Sequence, residues 1–359
     1  MNKLDSGEET RTAAATGRNG NIELLRYAFA YVVAIEHFCL RAPGVVLPAV
    51  DFFFLAAGFF QMRRMTREKS FSPVRYLGER FGGMAFLYET SILLLLVFSE
   101  EGIGLKTFLS GLYRAIPDML CLQMTGIFEL HVNPPLWFFS AMLLAGAVLS
   151  LLFSYDRRLF FHTLPLLVLL SFACLFYCQG NMDAIYSPNF INPTRYLIPL
   201  GTIRALGGLG LGCLVWMAYE RWGTVLQKPG LRAALSAAEL FAVGIVLINA
   251  LFRHHTAYDF YTLLFLPVLF VCALSQNTWW GGVSHRLGKG LSACMGKQFT
   301  LALYCLHMPV IRLEECLMER FPEVSPVGKT LLFIVLVTAI SFLFAKASER
   351  LSSRRRKPA

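Results

Sequence analysis

The stretch RYAFAYVVAIEH runs from Arg26 to His37. It is apolar along its length, yet it opens on Arg and closes on Glu36 and His37. Charge inside an apolar span costs free energy unless it is paired or used. Drawn as a helix, Arg26 and His37 are about 20° apart around the axis and about 16 Å apart along it. One face is therefore polar at two depths. Two explanations fit that face. Arg26 can reach out to lipid headgroups while His37 bonds a neighbouring helix, or the face lines a site.

The rest of the chain makes the surroundings of that helix apolar. The chain has 359 residues, 56% of them hydrophobic and 16% charged, against roughly 45–50% apolar in a soluble domain. Ten apolar runs are long enough to cross about 30 Å of hydrocarbon: residues 22–40, 45–62, 81–99, 134–153, 159–178, 199–218, 234–252, 257–275, 298–314 and 328–346. The fold class is all-α, a polytopic transmembrane helical bundle. Segment 103–128 holds Lys106, Arg114, Pro117 and Asp118 and reads as an amphipathic interfacial piece. Residues 21–347 form one membrane domain, between a polar, disordered tail (1–20) and a basic tail (348–359).

Lys and Arg crowd one side of a ten-span arrangement, including Arg63, Arg64, Arg67, Arg75, Arg80 and the run Arg354–Lys357. Positive residues stay in the cytoplasm, so both termini are expected there, in a multi-pass protein of the inner or plasma membrane. The same asymmetry accounts for the net charge of +10 without a nucleic-acid partner, for which no motif speaks. The nine cysteines are scattered and form no disulfide framework. Cys174 and Cys178 lack the nearby His that a metal site would need, and no metal is expected. The polar loop 179–199 either shapes a mouth for a polar ligand or only connects two spans.

Other ionisable and amphipathic groups lie within the spans: Asp51 in DFFFLAAGFF, Arg204 in GTIRALGGLGLG, His307 in LALYCLHMPVI and Trp137 in NPPLWFFSAML. Such groups face the bundle interior or a wet cavity and tend to pair. The run Gly207–Gly212 suits close helix packing or a broken transporter helix. With no preceding strand, it is not a phosphate loop.

At this point the sequence resembles the acyltransferase-3 family of membrane O-acyltransferases. IELLRYAFAYVVAIEH resembles its first-helix pattern of Arg, ten residues, then His. AVDFFFLAAGFF resembles its second-helix Gly-Val-Asp-Leu-Phe-Phe-x-x-Ser-Gly-Phe, with Ala49 and Ala57 where Gly and Ser are usual. LWFFSAMLLAG and GKQFTLALYCLHMPVI resemble later segments, in the family's order, over residues 20–346. RYLGERFGG places Arg75 and Arg80 where the family often has an Arg-rich run, but without its closing Pro.

The resemblance implies transfer of an acyl group, commonly acetyl, from cytoplasmic acyl-CoA to a hydroxyl of an envelope or secreted glycan, free or lipid-linked. Acyl-CoA is then a donor substrate, and no cofactor is permanently bound. Oxygen attack on a thioester needs a base, and neutral His suits that task, so His37 is assigned it, a covalent acyl-His intermediate being the alternative. Asp51 is the candidate to orient the imidazole. Glu36, about 100° around the helix from His37, is a poorer one. His307 is either a second catalytic group or a packing histidine. Arg26, Arg75 and Arg80 are candidates to hold the donor's phosphates, and Trp137 and Arg204 to meet the acceptor. A transporter or flippase, which moves a solute without bond chemistry, is the competing reading.

Overall fold

The computed structural model describes residues 18–39, 46–98, 104–128, 132–182, 199–253, 256–320 and 323–355. Residues 1–17 of the expected tail 1–20, most of the loop 179–199 and the last four residues lie outside the described residues. Within them the chain forms α-helices and no strand. In chain order these are α1 (Gly20–Cys39), α2 (Val46–Arg67), α3 (Pro73–Val97), α4 (Leu105–Met119), α5 (Trp137–Tyr155), α6 (Arg157–Gln179), α7 (Leu200–Leu226), α8 (Arg232–Ile248), α9 (Thr262–Ser275), α10 (Gly281–Met295), α11 (Phe299–Met318) and α12 (Pro326–Arg355).

Local sequence sets the ends. Pro73 opens α3, where the missing N–H costs nothing, and the Ser72 side chain accepts from Arg75 N. Asp156 caps α6 by accepting from Arg158 N and Leu159 N at 2.7 and 3.0 Å. Gly180 closes it with φ +70, a left-handed conformation that favours glycine.

Each of the ten apolar runs falls on a helix. Segment 103–128 supplies the short amphipathic α4 and a chain of turns. Helix α10 was not expected. It is short and carries Arg286 and Lys289, so no membrane-length apolar run marks it. By length and composition, 7 of the helices among the described residues could cross a membrane. Helices α1, α2 and α11, of 20, 22 and 20 residues, are not in that set.

The most extensive contact pairs α2 with α7, and the glycine run accounts for it. A Cβ on Gly212 would strike the Leu55 carbonyl, and one on Gly58 would strike that of Leu209. The run Gly207–Gly212 thus serves backbone approach. Helix α10 meets the start of α1 in the same manner, Gly288 lying against the Gly20 carbonyl.

Candidate active site

Helices α1 and α11 run side by side in the same direction. The ring of Phe299 lies 5.7 Å from that of Tyr27 and 6.4 Å from that of Tyr31. Further along both helices the rings of His37 and His307 meet at 5.0 Å, inclined by 45°. The two histidines, 270 residues apart in sequence, thus form one pair.

Each imidazole is held by its own helix. His37 Nδ1 lies 2.8 Å from Val33 O, and His307 Nδ1 lies 2.7 Å from Tyr304 O. A carbonyl only accepts, so both Nδ1 atoms carry the proton and both Nε2 atoms keep a lone pair. His307 is fully buried, and its Nε2 has no hydrogen-bond partner among the described residues. Both rings are therefore oriented by the helix that carries them. Behind them Tyr304 packs among Phe53, Phe138 and Phe139.

Pro309, two residues after His307, has no N–H to give the Cys305 carbonyl. That carbonyl instead accepts from Asn133 Nδ2 at 3.4 Å. Tyr304 OH donates to Pro135 O at 3.1 Å. The segment preceding α5 is thereby fastened to α11 beside His307.

The other expected site residues divide. Asp51 does not orient the imidazole: its Oδ1 accepts from Arg204 Nε at 2.9 Å, with both side chains buried. The single hydrogen bond of His37 among the described residues goes to Val33, so neither Asp51 nor the half-buried Glu36 supplies its partner. Arg204 is a fully buried cation that links α7 to α2 through its pair with Asp51. Trp137 is 3% exposed and lies edge-on to Phe54 at 6.0 Å, as core and not as an open face.

Arg26, at the other end of α1, donates to Glu23 Oε1 at 3.0 Å, and Arg18 reaches the second oxygen of Glu23 at 3.3 Å. Beside them, His285 Nδ1 accepts from Gly20 N. Burial and then the charge of Lys289 push that imidazole below its usual range. Arg75 is exposed and bonded to Glu79. Arg80 donates to Tyr76 OH at 3.0 Å and lines a small cleft with Ala57, Gln61 and Gly146.

A family model described as an acyltransferase domain matches residues 19–346. The chain belongs to the acyltransferase-3 family. No curated protein and no solved structure matches it. The match covers every helix of this membrane acyltransferase except the last residues of α12, so the histidine pair and the Asp51–Arg204 pair both fall within it.

Three polar side chains escaped the sequence reading: Glu89 on α3, and, in the segment between α4 and α5, Gln123, whose Nε2 donates to Tyr88 OH at 2.6 Å, and Asn133, whose Nδ2 donates to Ser91 Oγ at 3.2 Å and to Cys305 O at 3.4 Å. Glu89 was detectable, as a lone carboxylate in the apolar run FLYETSILLLLV. Gln123 and Asn133 sit in a segment that looks like an ordinary polar connection, and nothing local marks them as buried.

Proposed function

We propose that this acyltransferase moves an acetyl group from cytoplasmic acetyl-CoA to a hydroxyl of an envelope or secreted glycan at the cell membrane, with His37 as general base. The observation that carries the reading is the His37–His307 pair, with each Nδ1 committed to a helix carbonyl and each Nε2 left as an acceptor. His37 Nε2 takes the proton of the attacking hydroxyl as its oxygen adds to the thioester carbonyl. Collapse of the adduct forms the ester C–O bond and breaks the C–S bond. The departing CoA sulfur then takes the proton from the imidazolium. General-base help of this kind contributes typically about 10²–10⁴-fold in rate.

Arg26 sits about 16 Å back along the same helical face, towards the end of α1 from which a cytoplasmic donor enters. Arg80, beside its small cleft, is a second candidate for the donor's anionic groups, and the exposed Arg75 a third.

Full-length protein in lipid nanodiscs, incubated with acetyl-labelled acetyl-CoA and a glycan mixture, tests the reading. Label recovered in alkali-labile ester on the glycan is the expected result. Movement of glycan across a vesicle membrane with no labelled ester would make the protein a flippase.

A further inference from the structure

Pro309 leaves a gap in the hydrogen-bond ladder of α11 beside His307. In a regular helix the Cys305 carbonyl would accept from the N–H of residue 309, and proline has none. Asn133 Nδ2 fills that place from outside the helix. It donates to Cys305 O at 3.4 Å and to Ser91 Oγ on α3 at 3.2 Å, so both amide hydrogens are used. The Ser91 hydroxyl hydrogen is spent on Tyr88 O at 2.7 Å, which leaves its oxygen to accept. Turning the Asn133 amide over would face its carbonyl oxygen with that of Cys305 and break the bond. Asn133 is buried, at 1% exposed.

Tyr304 acts on the same turn through three groups. Its backbone carbonyl holds the Nδ1 proton of His307 at 2.7 Å. Its ring lies edge-on to that imidazole at 5.9 Å. Its hydroxyl donates to Pro135 O at 3.1 Å, two residues along from Asn133. Segment 133–135 therefore grips α11 at Tyr304 and again at Cys305. The next polar side chain of α11 is His307, whose ring lies 5.0 Å from that of His37. A helix bends most readily at a proline, and this grip removes that freedom on the turn that carries the histidine.

We propose that Asn133 and Tyr304 are positioning residues for His307: they fix the turn that carries it, and so fix its ring against that of His37. This rests on the acyl-transfer reading and deepens it, by naming what sets the geometry of the histidine pair. A clamp that only held segment 133–135 to α11 could act anywhere along the helix. Both bonds here fall within three residues of His307, and one closes the gap that Pro309 leaves.

The test reads the ring itself. Full-length protein carrying isotope-labelled histidine is placed in nanodiscs for solid-state NMR, and His307→Ala identifies the ring signals that belong to His307. Asn133→Leu removes both amide donors, and Tyr304→Phe removes only the hydroxyl. In each variant the His307 signals should shift, kcat for acetyl transfer should fall by up to about 100-fold, and the KM for acetyl-CoA should stay near the wild-type value. Pro309→Ala gives the Cys305 carbonyl a backbone N–H of its own. Asn133→Leu should therefore disturb the His307 signals less in the Pro309→Ala protein than in the wild type. Unchanged His307 signals in Asn133→Leu and Tyr304→Phe, alongside falling melting temperatures, would make the grip structural alone and overturn the proposal. So would an equal disturbance by Asn133→Leu with and without Pro309. A folded His307→Ala protein with wild-type turnover would also overturn it, since no ring would need positioning, and would leave the assignment of His37 intact. If the His307 signals respond as expected but the wild type transfers no acetyl to any glycan, the positioning stands and the acetyl-transfer reading falls.

Discussion

Helices α6 and α12 differ from α1 and α11 in how much of their surface other protein covers and in the polar groups they carry. In the most apolar windows of α6 and α12 only 28% and 17% of residues are buried inside the protein, so these helices turn most of their surface to lipid. Helices α1 and α11 carry Glu23, Arg26, Glu36, His37, His307 and Glu314 and fall short of the apolarity that would mark them as spans. His37 meets His307 across the two helices, and Arg26 pairs with Glu23 within α1. The outer helices supply the hydrocarbon boundary, and the inner ones are free to be polar because that boundary exists.

The largest expected effect strikes the inner pair. His37→Ala should lower acetyl transfer by about 10²–10⁴-fold while insertion and melting temperature hold, as measured by turnover and by thermal denaturation in nanodiscs. His307→Ala sharpens the point. If the two rings act as a unit, the double variant should be no slower than the worse single one. Wild-type turnover by a folded His37→Ala protein would return this helix face to packing alone.

The next effect is structural. Removing one partner of a buried ion pair costs about 3–5 kcal/mol, whereas replacing both with apolar residues of similar size is often nearly neutral. Arg204→Met should therefore lower the melting temperature sharply, and Asp51→Leu combined with Arg204→Met should recover much of the loss. Substitutions of exposed Leu169 on α6 or Leu343 on α12 by Ala should change stability little, since lipid replaces their neighbours. Equal losses at Arg204 and Leu169 would erase the distinction between inner and outer helices.

The same distinction explains what the sequence made legible. Helix positions follow from apolar length, because hydrocarbon thickness dictates about 20 residues per span. The polarity of the first-helix face follows from the 3.6-residue turn, and it correctly singled out Arg26 and His37 as one face. Partners did not follow. Nothing in DFFFLAAGFF says that Asp51 meets Arg204 and not His37, because that choice is made by the α2–α7 contact at Gly58 and Gly212, 154 residues apart in the chain. Gln123 and Asn133 stayed hidden for the converse reason. Their burial is set by Tyr88, Ser91 and Cys305 on other elements. Helix α10 stayed hidden because its fit to α1 depends on Gly20 and Gly288 and not on an apolar run.

The smallest expected effect concerns Arg26, and it decides how the two ends of α1 divide the work. Arg26 is paired with Glu23 at 3.0 Å, but its side chain is still 28% exposed. A partly exposed pair within one helix contributes only about 0.2–1 kcal/mol, too little for holding α1 in place to be the main task of Arg26. Lysine can keep that pairing as a point charge but cannot reproduce the planar fork that grips phosphate from two sides. Arg26→Lys should therefore leave the melting temperature almost unchanged and raise the KM for acetyl-CoA by up to about tenfold, equivalent to about 1.4 kcal/mol, with a smaller change in kcat. Glu23→Gln gives the opposite arm. It removes the carboxylate that competes for the guanidinium, so donor KM should stay level or fall. If both variants instead melt earlier and share the wild-type donor KM, Arg26 serves only to hold the start of α1, and donor recognition passes to Arg80 beside its cleft.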